Sequence, residues 1–190
     1  MKLLLTLLLP LFAACASASP DPKAEPAPDA TPEWNQLPQH EWLHQFLGEW
    51  ESTSETLAGP GGEPVEWEST ETIRTIGGLW IVSDCQVKTG GQHFAAMMTV
   101  GYDMRKEAFV GSWVDSAQMT LWTYVGQLDE ERRVLTLEAE GPSMVDPSRT
   151  VLYRDQLELV DADTKRMSSS VQEADGSWTV FMVADGRRVK

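Results

Sequence analysis

Trp113 and Asp115 stand two residues apart in the segment Met97 to Ser116, MMTVGYDMRKEAFVGSWVDS, and a β-strand puts such a pair on one face. An indole offers a flat apolar wall with one N–H donor, and a carboxylate offers acceptors. Together they suit a small-molecule pocket. Reading Asp103 to Glu107 as a turn makes the segment a hairpin in which Tyr102 pairs near Ala108. That pairing sets His93, Ala95, Met97 and Thr99 on one face with Phe109, Gly111, Trp113 and Asp115. The other face receives Phe94, Ala96, Met98, Val100 and Tyr102 with Val110, Ser112 and Val114. The candidate ligand contacts are Trp113, Asp115, His93 and Met97, with Tyr102 at the strand exit. Both faces are apolar, so alternation leaves open which one lines an interior, and the converging polar groups favour the Trp113 face. The plainer alternatives are Trp113 as core, Asp115 accepting backbone N–H groups at a turn, and Asp103 doing the same for the amides after it.

Catalytic signatures are missing from this sequence. It has no Gly-x-Ser-x-Gly elbow, phosphate loop or His-Glu-x-x-His helix, and His93, Asp115 and Ser116 lack the spacing of a triad. An enzyme would have to use Asp115 or His93 as general base on a substrate that nothing here names. Cys85 lies in an apolar run with no flanking histidine, which reads as a small buried hydrophobe. His40 and His44, one helical turn apart, could share a metal, but a third ligand is not evident. No catalytic residue, metal or cofactor is expected.

The elements that must position these residues follow from periodicity. Pro38 to Phe46, PQHEWLHQF, carries Trp42, Leu43 and Phe46 on one stripe, with proline in the first turn and Gly48 just past the end. This is a short amphipathic helix with a stripe too large to leave in water, so it should plug or cap something. From Gly48 onward the period becomes two. Ten strands are predicted, at about 49–57, 65–75, 78–88, 92–102, 107–115, 118–127, 132–140, 148–159, 165–173 and 177–184. The connections are short and hairpin-like, among them Gly77-Gly78, Gly90-Gly91 and Asp175-Gly176. Nothing after the helix supplies a parallel crossover, so the sheet is an antiparallel meander, and closing it into a barrel removes its edges. A two-sheet sandwich would need longer connections than these. Eight tryptophans, at 34, 42, 50, 67, 80, 113, 122 and 178, would fill such a barrel or line a cavity in it.

Residues 1–18 read as a secretory signal: Lys2, an apolar run from Leu3 to Ala14, then small residues. Two processing routes compete. Leu11-Phe12-Ala13-Ala14-Cys15 resembles a lipoprotein box, with cleavage before Cys15 and a lipid on its thiol, while Ala16-Ser17-Ala18 offers soluble cleavage near Ala18. Residues 16–33, rich in Ala, Pro, Asp and Glu, read as a disordered linker. Residues 34–190 form a single domain. Expected locations are the periplasm or, as an anchored lipoprotein, the outer membrane, with soluble secretion as the alternative. The formal charge is −14 with no basic cluster, which argues against nucleic acid and leaves a lipid on Cys15 as the only route to a membrane.

Motifs then converge on a family. His40-x-x-Leu43-x-x-x-Leu47-Gly48-x-Trp50, Ile76-Gly77-Gly78-Leu79-Trp80, Gly101-Tyr102-Asp103 and Trp113-x-Asp115-Ser116, in this order over about Trp34 to Val183, resemble the bacterial domain-of-unknown-function family 1579. The resemblance implies a lipocalin-like, calycin-type antiparallel β-barrel and brings no activity, cofactor or catalytic residue with it. Among related barrels some bind haem through one histidine, for which the barrel here would have only His93. The chain departs from the family at its end, Arg187-Arg188-Val189-Lys190, and in its lipoprotein-like leader. Three functions compete: a barrel that binds a small, partly apolar molecule; a solid barrel of the envelope that meets a protein partner through an exposed apolar surface; and, third, an enzyme of unknown reaction.

Overall fold

The structure, a computed structural model, describes residues 37–56, 64–129, 131 and 133–189. The expected signal, Cys15, the expected linker and Trp34 lie outside the described residues. One helix and ten strands follow one another: α1 (Pro38–His44), β1 (Gly48–Thr56), β2 (Val65–Ile76), β3 (Trp80–Thr89), β4 (Gln92–Asp103), β5 (Ala108–Asp115), β6 (Trp122–Leu128), β7 (Val134–Pro142), β8 (Thr150–Asp161), β9 (Thr164–Gln172) and β10 (Trp178–Arg188). Each strand pairs antiparallel with the next, and β10 returns to β1 from Trp50↔Arg188 to Thr56↔Met182, so the barrel is closed and has no free edge.

Most strand boundaries fall within two residues of the sequence reading, and two differ by four. β10 runs on to Arg188, four residues past its expected end, because the polar residues 185–188 are fully paired with β1. β6 starts at Trp122 and not at 118, because Met119 and Leu121, which mimic a strand period, belong to a loop and are exposed.

Helix α1 plugs one end. Trp42, Leu43 and Phe46 are buried with Trp50, Ile81, Val100 and Phe109 in the main core, each contributing on the order of 1.5–3 kcal/mol by its burial. The Trp42 ring stacks at a tilt on Phe46, with centroids 5.0 Å apart, and meets Phe109 edge-on at 6.1 Å. The Trp50 Nε1–H donates to Phe46 O at 2.8 Å, which ties the helix exit to β1. His40 Nδ1 accepts the Leu37 N–H at 2.9 Å, and the His44 Nε2–H donates to Gly78 O at 2.8 Å. Both imidazoles therefore fasten the plug. Arg188 finishes this end: its guanidinium donates to Leu47 O, to Gln45 O at 2.8 Å and to Ala162 O at 3.0 Å, and lies 4.2 Å over the Trp50 ring. Gly48, at φ 117°, makes the sharp passage from helix to β1 that a side chain would strain.

Candidate ligand-binding cavity

The central hairpin is shifted in register by one residue from the sequence reading. Tyr102 faces Phe109 and Asp103 faces Ala108, so Met98 is opposite Trp113 and Ala96 opposite Asp115. Residues 104–107 make the turn, with Glu107 at φ 50° and Asp103 Oδ1 accepting the amides of Arg105 and Lys106. A one-residue slip moves a whole strand's side chains to the opposite face. Phe94, Ala96, Met98 and Val100 therefore join Trp113 inside, while His93 is exposed and Met97 is 40% exposed on the outer surface. His93 and Met97 are corrected accordingly: neither faces the interior, and His93 cannot offer a haem an axial ligand there. Tyr102 is half-buried, stacks edge-on with Phe109 at 5.3 Å in the plugged end, and does not line the cavity.

Above the plug the barrel is hollow. A cavity of about 530 Å³ opens at the end opposite α1, between the 116–121 and 143–149 loops. Its wall is largely apolar and aromatic. Trp67 and Phe94 stack edge-on at 5.4 Å on one side, and Trp122, Tyr153 and Phe181 form a second edge-on chain at 5.0 and 6.1 Å, with Trp113 also on the wall. The Trp122 ring lies over Gly141, where an added Cβ would fall 2.1 Å from a ring carbon, so only glycine lets the indole lie there.

Three carboxylates, each with its own partners, interrupt this wall. At the mouth, Asp115 takes the Trp113 Nε1–H at 2.9 Å, the Gln118 side-chain amide at 2.7 Å, and the backbone N–H groups of Ala117 and Gln118 at 2.8 and 3.0 Å. Desolvation pushes this carboxyl's pKa up, but the four hydrogen bonds outweigh it and hold the group below the usual carboxylate range. With four donors in place, Asp115 orients the Trp113 ring and anchors the mouth loop. Halfway down, Asp155 accepts Tyr124 OH at 2.5 Å and Ser169 OH at 2.6 Å. Burial raises Asp155 despite those two bonds, and burial together with the Asp155 carboxylate raises Tyr124. Near the plug, Lys165 pairs with Glu71, which also accepts Ser83 OH, and the Lys165 ammonium sits 4.9 Å from the Trp50 ring centroid. The Lys165 and Glu71 side chains are 13% and 18% exposed.

The Cys85 thiol lines the same wall and is pushed up to about 11, first by burial and then by Glu71, with Lys165 and Ser69 opposing. It is a poor nucleophile. Trp67 Nε1 is buried without a hydrogen-bond acceptor among the described residues, and a buried donor left unmatched costs on the order of 1–3 kcal/mol. Among the described residues no group of three metal-ligating side chains gathers.

A family described as "Protein of unknown function (DUF1579)" matches residues 35–188, nearly the whole barrel with its plug. The chain belongs to this family. No curated protein matches it. Among solved structures, Rv2717c from M. tuberculosis is similar at TM-score 0.58 and 14% identity, over 82% of this chain and 100% of that one. The S-type phycobiliprotein lyase CPES from Guillardia theta is similar at TM-score 0.53 and 11% identity, over 79% of this chain and 92% of that one. At such identities the likeness is one of fold, the lipocalin-like barrel.

Most DUF1579-like motifs of this chain map to the plugged end: Leu43, Gly48 and Trp50 in the plug, Gly78 under His44, and Trp80 packed over Gly101. Trp113 and Asp115 are the exception at the mouth. Sequence reasoning missed Glu71, Lys165, Tyr124, Asp155 and Ser169. One signal for Asp155 was present: Tyr153, Asp155, Leu157 and Leu159 alternate as an inward row with one acid in an apolar place. Glu71 and Lys165 offered weaker ones: Glu71 alternates with Val65, Trp67, Ser69 and Ile73, and Lys165 with Met167, Ser169 and Val171, rows in which serines dilute the apolar pattern.

Proposed function

We propose that this barrel is a binding module that takes a small, partly apolar molecule into its interior, with Trp113 and Trp122 as walls. The observation that carries the reading is the cavity of about 530 Å³, within the range of small-molecule sites, lined mainly by apolar and aromatic side chains with a few fixed polar groups. A solid barrel acting only through its surface would have no such interior. The mouth supports the same reading, because Met119, Leu121, Met144 and Val145 are exposed on the two loops that frame it and offer an apolar approach. We further propose that the domain works in the cell envelope, held by a lipid on Cys15 through the linker. The motif at Leu11 to Cys15 supports this.

Native mass spectrometry of the mature chain purified from a bacterial envelope, set against its denatured mass, tests the binding role. An extra mass that is lost when the interior is filled by Ala184→Phe is the expected result. A folded protein that carries no extra mass and takes up no apolar probe would sink the reading. For the anchor, Cys15→Ser should move the protein from the membrane fraction to the soluble one.

A further inference from the structure

The hydrogen-bonding groups of the cavity wall are unevenly spent. Its acceptors are engaged: Asp115 by four donors, Asp155 by Tyr124 and Ser169, and Glu71 by Ser83 and Lys165. Its donors are not. Lys165 has three N–H groups and gives one to Glu71, and the indole N–H of Trp67 has no acceptor among the described residues. The neighbouring cations are spent elsewhere. Arg166 pairs with Asp185 at 2.7 Å on the outer surface, and Arg188 is held by three backbone carbonyls.

Charge narrows the occupant further. Lys165 and Glu71 neutralise each other, so a carboxylate brought to the cavity floor meets Glu71 as a like charge, and an ammonium meets Lys165. An uncharged oxygen acceptor meets neither penalty and finds Lys165 N–H groups unused. Hydrocarbon alone fits the aromatic wall but leaves those donors unanswered. Resting on the binding role set out above, we infer that the occupant is a neutral, largely apolar molecule bearing a carbonyl oxygen, as in a ketone, ester or quinone. It enters carbonyl first, so that Lys165 holds the oxygen while the apolar body lies against Trp113 and Trp122. Trp67, whose N–H is unspent on the same wall, serves a second acceptor oxygen where the molecule has one.

Four naphthalenes of matched size test this by calorimetry on the mature full chain: 2-acetylnaphthalene, 2-naphthoic acid, 2-(aminomethyl)naphthalene and 2-ethylnaphthalene, all near neutral pH. The ketone should bind about tenfold more tightly than the other three, the effect of one charge-assisted hydrogen bond. In Lys165→Met/Glu71→Gln, which removes the pair without stranding either charge, the ketone should fall to the level of ethylnaphthalene, and ethylnaphthalene should be unchanged. Should that variant fail to fold, the ranking of the four probes on the unaltered chain decides. Equal binding of all four, or preference for the acid or the amine, overturns the carbonyl inference and leaves the binding role standing. Binding of none, with no co-purified mass, overturns both.

Discussion

The two ends of the barrel are built from different materials. At the plugged end, Trp42, Phe46, Trp50 and Phe109 pack with almost no exposure; His40 caps the start of the helix, and His44, Trp50 and Arg188 fasten its end and the residues after it through side-chain hydrogen bonds. At the mouth, the 116–121 loop is tied down chiefly by Asp115, and the methionines and aliphatic residues beside it face solvent. One end carries stability and the other access. Closing one end with a packed helix lets the other stay open without costing the fold its core.

The sharpest way to break that comparison is Trp50→Ala, which removes a buried ring, the bond to Phe46 and the face under two cations. It should lower stability by about 3–5 kcal/mol in urea unfolding. A cost under about 1 kcal/mol would mean that the plug does not carry the fold. Next in size, Tyr124→Phe leaves Asp155 with Ser169 alone and should cost about 1–3 kcal/mol by the same measurement.

Asp155 also predicts a pH dependence. Burial raises its pKa, so the folded state holds the proton over a window, beginning at about pH 4, in which the unfolded chain releases it. Within that window the folded protein binds more protons, and this group's contribution to stability falls as pH rises. Asp155→Asn removes the slope, so the difference in melting temperature between variant and parent should shift in the variant's favour from acid toward neutral pH. A difference that is flat with pH would show that Asp155 ionises normally.

Smaller effects belong to the mouth. Asp115→Asn takes away the carboxylate that holds Trp113 and the loop amides, and should speed hydrogen exchange at residues 117 and 118 and shorten the residence of a bound naphthyl ketone. Its stability cost should stay within about 0.5–1.5 kcal/mol, the worth of an ordinary hydrogen bond. Smallest of all, Met119→Ser should change stability by less than about 0.5 kcal/mol, because its side chain touches solvent. If Met119→Ser rivalled Trp50→Ala, the division between the ends would collapse.

The same division separates what could be read in the sequence from what could not. The plug was legible because Trp42, Leu43 and Phe46 recur at helical spacing between a proline and a glycine. The meander was legible because its strands alternate and its turns carry Gly, Pro or Asp residues at short intervals. Trp113 and Asp115 were legible as neighbours because a strand of period two puts them on one face wherever it lies. Their surroundings were not, since the turn at 104–107 sets the register of β4 against β5, and a shift of one residue exchanged Met97 for Met98 and put His93 outside.

Period and turn chemistry are local, and the sequence by itself therefore determined one helix, ten antiparallel strands and a barrel of such strands. Only the tertiary structure decided what faces what inside. Glu71 and Lys165 are 94 residues apart, and Tyr124 and Asp155 are 31 apart. They meet because closure of β1 on β10 turns each strand's inner face toward the same interior, where desolvation makes every charge and donor depend on partners that no local pattern announces.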